Sequence, residues 1–515
     1  MNESLTRRQA LALMGGIGAA ALIYGTGCAR RTPTRPTSIW SPEPGRAFSL
    51  VNSTLIDVAS GKALAGKAVL VEGGLIKGVY DVGAPELAGS RRIDCNGTFM
   101  IPGLINAHCH LNMPSVMNVG FSDMGMAQDQ IRRNYRDAVL WGVTTCRDMG
   151  AMPKVMARDR AAIDKGRMIG PRILTAMSII TVPNGYPDFT ARVNWIVRSF
   201  IGDIVILVKN ADEARDAVKK VRDCGADLTK IAFDDRSLLY GRDGLDVLTD
   251  AQADAIMDES TKLGMPVAAH HLYAGGLDRG LQFGVHSMEH VATDAAITDD
   301  QMKKIIDSRM PFVPTLTVGA SLVFKSSGDP YNDDPFVNEM LAWRDNVQYA
   351  ELPRHCTPAL VKKSAQVKRF YENEEYALEK NKDVLSFNPK FATRLLAMAS
   401  KNLQRLIAEG AVLGVGNDAG VPFDFPGMLH LEMALLVRMG MTNDQALRAA
   451  TMVNAKIIGR EDKCGEISQG RYADIVLLAA NPLDDIKNAG LVKAVFKGGV
   501  LVSKAEDFKV AETTA

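Results

Sequence analysis

Ile101-Pro102-Gly103-Leu104-Ile105-Asn106-Ala107-His108-Cys109-His110 is an apolar run that ends in two histidines one residue apart. Side chains alternate along a strand, so His108 and His110 share one face and both imidazoles point the same way. Two inward imidazoles at this spacing suit a cation, whereas a single one would serve equally well as a hydrogen-bonded core residue.

Working outward, the run at 104–111 is the first of eight; the others are 143–148, 172–177, 228–233, 267–270, 287–290, 312–316 and 412–418. Helix-length amphipathic stretches separate them, a texture that predicts βα units around a parallel sheet, and eight such units predict an α/β fold of the (β/α)8 TIM-barrel type. Glycine-broken β-type runs occupy 48–94 and return only near the other end, at 465–499, so the two ends are expected to pair into one small β-sandwich. The expected organisation is a signal at 1–28, a linker at 29–47, sandwich portions at 48–100 and 463–508, and a barrel at 101–462. An insertion at 319–392 separates the seventh and eighth runs, with Asp329-Pro330, Asp334-Pro335 and Asn388-Pro389 breaking charged helical text. It reads either as a solvated helical excursion or as a lid.

Composition narrows the function. With 60 Lys+Arg against 59 Asp+Glu, the 515-residue chain has no field to attract nucleic acid or an anionic membrane. Thr6-Arg7-Arg8-Gln9-Ala10-Leu11 precedes an uncharged, glycine-diluted run ending in Gly25-Thr26-Gly27-Cys28, which looks like a twin-arginine export signal. Cys28 also stands as in bacterial lipoproteins acylated on the first mature cysteine, although Gly25 departs from the aliphatic residue expected there. The expected location is the periplasm or a membrane reached only through the signal or a lipid anchor, and a homo-oligomer is expected. The other six cysteines form no C-x-x-C pair and read as small buried hydrophobes.

Of only eight histidines, His270 ends the fifth run and His290 the sixth. Strand parity favours His270 over His271, and depth along the strand favours His290 over His286. Asp418 ends the eighth run, where a carboxylate completes a nitrogen and oxygen shell typical of zinc or its neighbours; a helix cap is the competing reading. Lys230 lies in the fourth run, and a lysine pointing inward there is costly unless paired or modified.

These residues sit inside an ordered set of blocks: Pro-Gly-Leu-Ile-Asn-Ala-His-x-His, Gly-Val-Thr-Thr-x-Arg-Asp, Gly-Pro-Arg-Ile-Leu, Gly-Ala-Asp-x-x-Lys, Val-Ala-x-His, Glu-His, Pro-Thr-Leu, Asp-Ala-Gly and Gly-x-Ile-x-x-Gly-x-x-Ala-Asp-Ile-Val. The set resembles the metal-dependent amidohydrolase superfamily, most closely its imidazolonepropionase-like and Xaa-Pro-dipeptidase-like branch, from about Phe48 to Val502. The resemblance implies one zinc held by His108, His110 and Asp418, a second by His270 and His290, and Lys230 carboxylated as the bridge between them.

The implied chemistry is amide hydrolysis of a dipeptide or N-acyl amino acid by a metal-activated hydroxide, with Asp418 carrying the proton from nucleophile to leaving amine. A cyclic amide, lactone or ester hydrolase at the same centre is the alternative, and a non-catalytic ligand-binding lipoprotein is the third reading. Three residues are candidate substrate contacts: Tyr186, in a Pro/Asn/Gly turn after the third run, Tyr273 just past His270, and His430 after the eighth run. Relatives often carry Gly-Gly-His near Tyr186, so substrate preference does not carry over at that position.

Overall fold

The computed structural model describes residues 39, 41–43, 45–115, 124–188, 202–237, 242–321, 330–372, 392–508 and 511–513. The export and lipidation signals, with Asp329 and Asn388-Pro389, lie outside the described residues. No helix among those described is long and apolar enough to cross a membrane.

Both chain ends build one sheet. Strands β1 (Phe48–Asp57), β2 (Lys62–Glu72), β3 (Leu75–Asp81) and β4 (Arg91–Pro102) come from one end, and β16 (Ile475–Leu478), β17 (Val492–Lys497), β18 (Val500–Lys504) and β19 (Ala511–Thr513) from the other. The strand order is β18-β17-β16-β4-β1-β2-β3, with β19 also on β4. The join between the ends is the antiparallel ladder from Ile475↔Pro102 to Leu478↔Phe99. Its apolar face, including Phe48, Leu50, Val69, Met100, Leu477 and Phe496, forms a core separate from the larger one.

The intervening chain is α/β, with parallel strands. They are β5 (Leu104–Cys109), β6 (Val143–Asp148), β7 (Arg172–Thr175), β8 (Ile179–Thr181), β9 (Val205–Leu207), β10 (Thr229–Ala232), β13 (Val267–His270), β14 (Ser287–Glu289) and β15 (Phe312–Val313). Two further strands of two residues each, β11 (Arg236–Ser237) and β12 (Arg242–Asp243), pair antiparallel. One sheet runs β5-β6-β7 and another β15-β14-β13-β10-β8-β9. Backbone bonds link the two: Asp227 N donates to Thr175 O at 2.8 Å, Ala107 N to Val415 O at 2.9 Å and Phe312 N to Val412 O at 2.9 Å.

The eighth run is bonded on both sides yet forms only a bridge at Leu413. The reason is local: Val415 N donates to the Asn454 side chain at 3.0 Å instead of to a ladder carbonyl. Two short strands, β8 and β9, arise where the sequence predicted none; three residues each give too little periodicity to read.

The helices between strands begin where their sequences dictate. Thr249 with Gln252, Thr298 with Gln301 and Thr442 with Gln445 each form a reciprocal capping box. At 319–392 the described portion is helical and packs an apolar face into the main core, so it is not a solvated excursion. Asp334-Pro335 starts a helix instead of breaking one: Asp334 accepts from Phe336 N and Val337 N, and Pro335 occupies the first turn, where its missing N–H costs nothing. Val337, Met340, Leu352 and Leu360 from this segment are buried in the main core.

Candidate metal centre

His108, Lys230 and His270 lie in the strands β5, β10 and β13, His110 and His290 lie just past the ends of β5 and β14, and Asp418 ends the eighth run. The Nε2 atoms of His108 and His110 each lie 3.2 Å from the same oxygen, Oδ1 of Asp418. That oxygen is buried and makes no hydrogen bond with these or any other described groups. The ring centroids of His290 and His108 are 4.8 Å apart, and those of His270 and His290 4.7 Å apart. One ligand atom each from His108, His290 and Asp418 falls within 4.8 Å of the others. Buried donor atoms that converge without bonding one another are what a cation would satisfy, so these residues fit the metal implied by their pattern.

Each histidine is held by its other nitrogen. His108 Nδ1 lies 2.7 Å from Glu289 Oε2, His110 Nδ1 2.8 Å from Gly150 O, and His290 Nδ1 2.7 Å from Thr315 Oγ1. For His270 it is Nε2 that meets a carboxylate, Oδ2 of Asp234, at 3.1 Å. Partners of this kind orient metal-binding imidazoles. Glu289 and Thr315 stood in the Glu-His and Pro-Thr-Leu blocks without an assigned role, and Asp234 was not singled out; the signal available was a polar residue inside or just past an otherwise apolar strand.

The electrostatics agree with the packing. Burial pushes the Lys230 ammonium down to about 8 despite the nearby Glu289 and Asp418 carboxylates. Its Nζ is buried and without a hydrogen-bond partner among the described residues. Burial and then Lys230 hold His270 well below the ordinary imidazole range; burial and then His270 do the same to His290. Burial favours protonation of Asp418, but the adjacent His108 and His110 outweigh it and hold the carboxyl well below its usual range.

Backbone strain gathers at the same place. His290 (φ 77°), Thr315 (φ 52°) and Asp418 (φ 51°) all adopt the left-handed region, which costs about 1–3 kcal/mol per residue and persists only where surrounding contacts enforce it. Close approach also requires glycine: a Cβ on Gly416 would lie 2.6 Å from the backbone nitrogen of His108. Gly416→Ala is expected to lose about 1–3 kcal/mol of stability by overpacking and to lower metal retention. Denaturant unfolding with elemental analysis checks this, and wild-type values for both would remove the close-approach argument.

The neighbouring histidines turn elsewhere. His271 Nδ1 lies 3.0 Å from Glu289 O, and His286 Nε2 lies 2.9 Å from Ile457 O. Tyr186 stands against the centre, its ring centroid 4.4 Å from that of His270. Tyr273 precedes the helix Ala274–Phe283, and the Arg236 guanidinium lies 4.7 Å over its ring. His430 belongs to a second cluster: its ring stacks on Trp141 at 5.2 Å and its Nε2 lies 3.2 Å from Glu351 Oε2.

Comparison with known proteins follows the same lines. Over 84 residues, 14% of this chain and 19% of the relative, the sequence is 43% identical to 5-methylthioadenosine/S-adenosylhomocysteine deaminase of Symbiobacterium thermophilum. It is 39% identical to imidazolonepropionase of Streptomyces avermitilis over 80 residues, 15% of this chain and 19% of that one. The aligned part thus spans about a fifth of each curated relative. A crystal structure of a Xaa-Pro dipeptidase with bound methionine shares the fold, with a TM-score of 0.66 and 24% identity over 88% of this chain and 99% of that one. The model of the Amidohydrolase family matches residues 99–502, and the chain belongs to that family.

Proposed function

We propose that this protein is an exported metal-dependent hydrolase of carbon–nitrogen bonds whose substrate is an amide of the dipeptide or N-acyl amino acid type. The observation that carries the reading is the buried Asp418 oxygen, within 3.2 Å of two imidazole nitrogens and bonded to neither. His108, His110 and Asp418 would hold one zinc ion, His270 and His290 a second, and Lys230, carboxylated, would bridge them. When bound, such ions supply Lewis acidity to water and to the scissile carbonyl.

The chain's own residues do the rest. Asp418 accepts a proton from the attacking water and returns it to the departing amine, a role open to a carboxylate held ionised at the reacting centre. Tyr186, beside His270, bounds the space for substrate on that side; Tyr273 is the further candidate contact. Lys230 has no compensating hydrogen bond as an ammonium among the described residues, and carboxylation would replace that charge with oxygen donors.

The proposal includes closure of the eight strand positions into a (β/α)8 barrel, with the chain ends forming a β-sandwich against it. The backbone bonds from Val412 and Val415 to the strands on either side support this. Export and lipid attachment at Cys28 rest on residues 1–28 alone. Local likeness to an imidazolonepropionase favours a second reading, opening of a cyclic amide at the same centre.

Elemental mass spectrometry on protein prepared in bicarbonate tests the centre. Two metal equivalents per chain are expected, falling to about one in Lys230→Ala. Unchanged stoichiometry in that variant would remove the bridge, and metal-free active protein would overturn the mechanism. Dipeptides and N-acyl amino acids assayed beside cyclic amides then separate the two substrate readings.

A further inference from the structure

Behind His108 lies a charged network that the proposed chemistry does not use. Arg147, Glu289, Ser287 and His108 are all buried, with exposures of 2% or less. Glu289 Oε1 accepts from Arg147 Nη2 at 2.8 Å and from Ser287 Oγ at 2.6 Å. Its other oxygen, Oε2, lies 2.7 Å from His108 Nδ1. Arg147 is itself fixed, donating from Nε to Ala107 O at 2.6 Å and from Nη1 to Ser287 Oγ at 3.0 Å.

We infer that Glu289 is a positioning residue that holds His108 as its Nδ1–H tautomer and so aims the Nε2 lone pair at the centre. Arginine is always charged, and a buried guanidinium left without its counterion is strongly unfavourable, so Glu289 is ionised. An ionised carboxylate only accepts, so His108 Nδ1 must be the donor, and a neutral imidazole then has its lone pair on Nε2. Arg147 and Glu289 cancel in charge. The network therefore acts by direction, not by attracting a cation. The inference rests on the metal reading only for what that lone pair meets.

Replacing Glu289 with its isostere makes the consequence sharp. In Glu289→Gln the two donors on the Oε1 side still require an acceptor, so the amide oxygen takes that place and the NH2 group faces His108 Nδ1. Nδ1 must then accept, the proton moves to Nε2, and the inward lone pair is lost. Glu289→Asp loses a methylene but remains an acceptor, so it keeps the native tautomer. A purely packing role predicts the opposite order, with Asp more harmful than Gln.

The test is 15N NMR of histidine-labelled, metal-stripped full-length protein, with His108 assigned by comparison with His108→Asn. Zinc affinity is measured in parallel by chelator competition. Wild type and Glu289→Asp are expected to show Nδ1–H and Glu289→Gln Nε2–H, with zinc affinity about 10–100-fold weaker in Glu289→Gln than in wild type. An Nε2–H His108 in wild type overturns the inference even if neither variant folds. So does Glu289→Gln binding zinc better than Glu289→Asp. Wild-type protein that shows Nδ1–H but binds no zinc removes the metal reading and leaves the tautomer assignment standing.

Discussion

Asp418→Asn is expected to lower kcat/KM by about 10²–10⁴-fold, the usual contribution of a positioned proton carrier, while metal content stays near wild type. Asparagine keeps an oxygen where His108 and His110 converge at 3.2 Å, so the donor atom survives. It cannot take up the proton of the attacking water, so the chemical step fails with the centre still assembled. Steady-state kinetics on protein of measured metal content checks both halves. Turnover within a few-fold of wild type would remove Asp418 as the proton carrier, and loss of metal together with activity would reduce it to a ligand.

The largest stability effect is expected away from the centre. Asp137, on the helix Met124–Leu140, lies 3.0 Å from His355 Nδ1, and both side chains are fully buried. Asp137 also accepts from Gly427 N at 2.9 Å, and the far side of the His355 ring meets Glu351 at 3.4 Å. The 319–392 segment is thereby fastened to the first interstrand helix and to the chain just before the helix Leu429–Arg438. His355→Ala leaves Asp137 buried without its cationic partner and is expected to cost about 3–5 kcal/mol, measured by urea unfolding at neutral pH. A loss below about 1 kcal/mol would mean the segment is not held by this pair.

The same pair sets a pH dependence. Burial opposes charge on His355, but Asp137 and Glu351 outweigh it and raise the imidazole to about 9. A raised folded-state value means the contribution is complete below the unfolded value, about 6.5, and is lost as pH rises through about 9. Glu351 shifts the other way: burial is outweighed by His355 and His430, which hold it well below the ordinary range. Its contribution is present above about pH 4.5 and lost on acidification. Wild-type stability should therefore be greatest between about pH 5 and 8. In His355→Ala the decline near pH 9 should flatten.

How legible the centre was follows from the range of each signal. Strand parity selected His270 over His271 and depth along the strand selected His290 over His286, and the unselected rings turn to the backbone carbonyls of Glu289 and Ile457. The β-type texture of the two chain ends was equally readable, because alternation is settled within a few residues. His430 was less readable. Its position after the eighth run suggested the substrate side, but stacking on Trp141 and a 3.2 Å contact with the Glu351 carboxylate hold it in another cluster, and neither partner is near it in sequence.

Sequence by itself thus nominated the side chains to be tested as metal ligands and determined the pairing of the two chain ends, since each depends on local period or a short motif. Tertiary structure alone decided which nitrogen of each imidazole faces inward, because that choice belongs to partners such as Glu289, 181 residues from His108. It also decided that the described part of 319–392 packs as core, since an amphipathic, charged segment reads the same whether its apolar face meets solvent or the helix carrying Asp137. Burial is a property of the folded surroundings, and local periodicity carries no record of them.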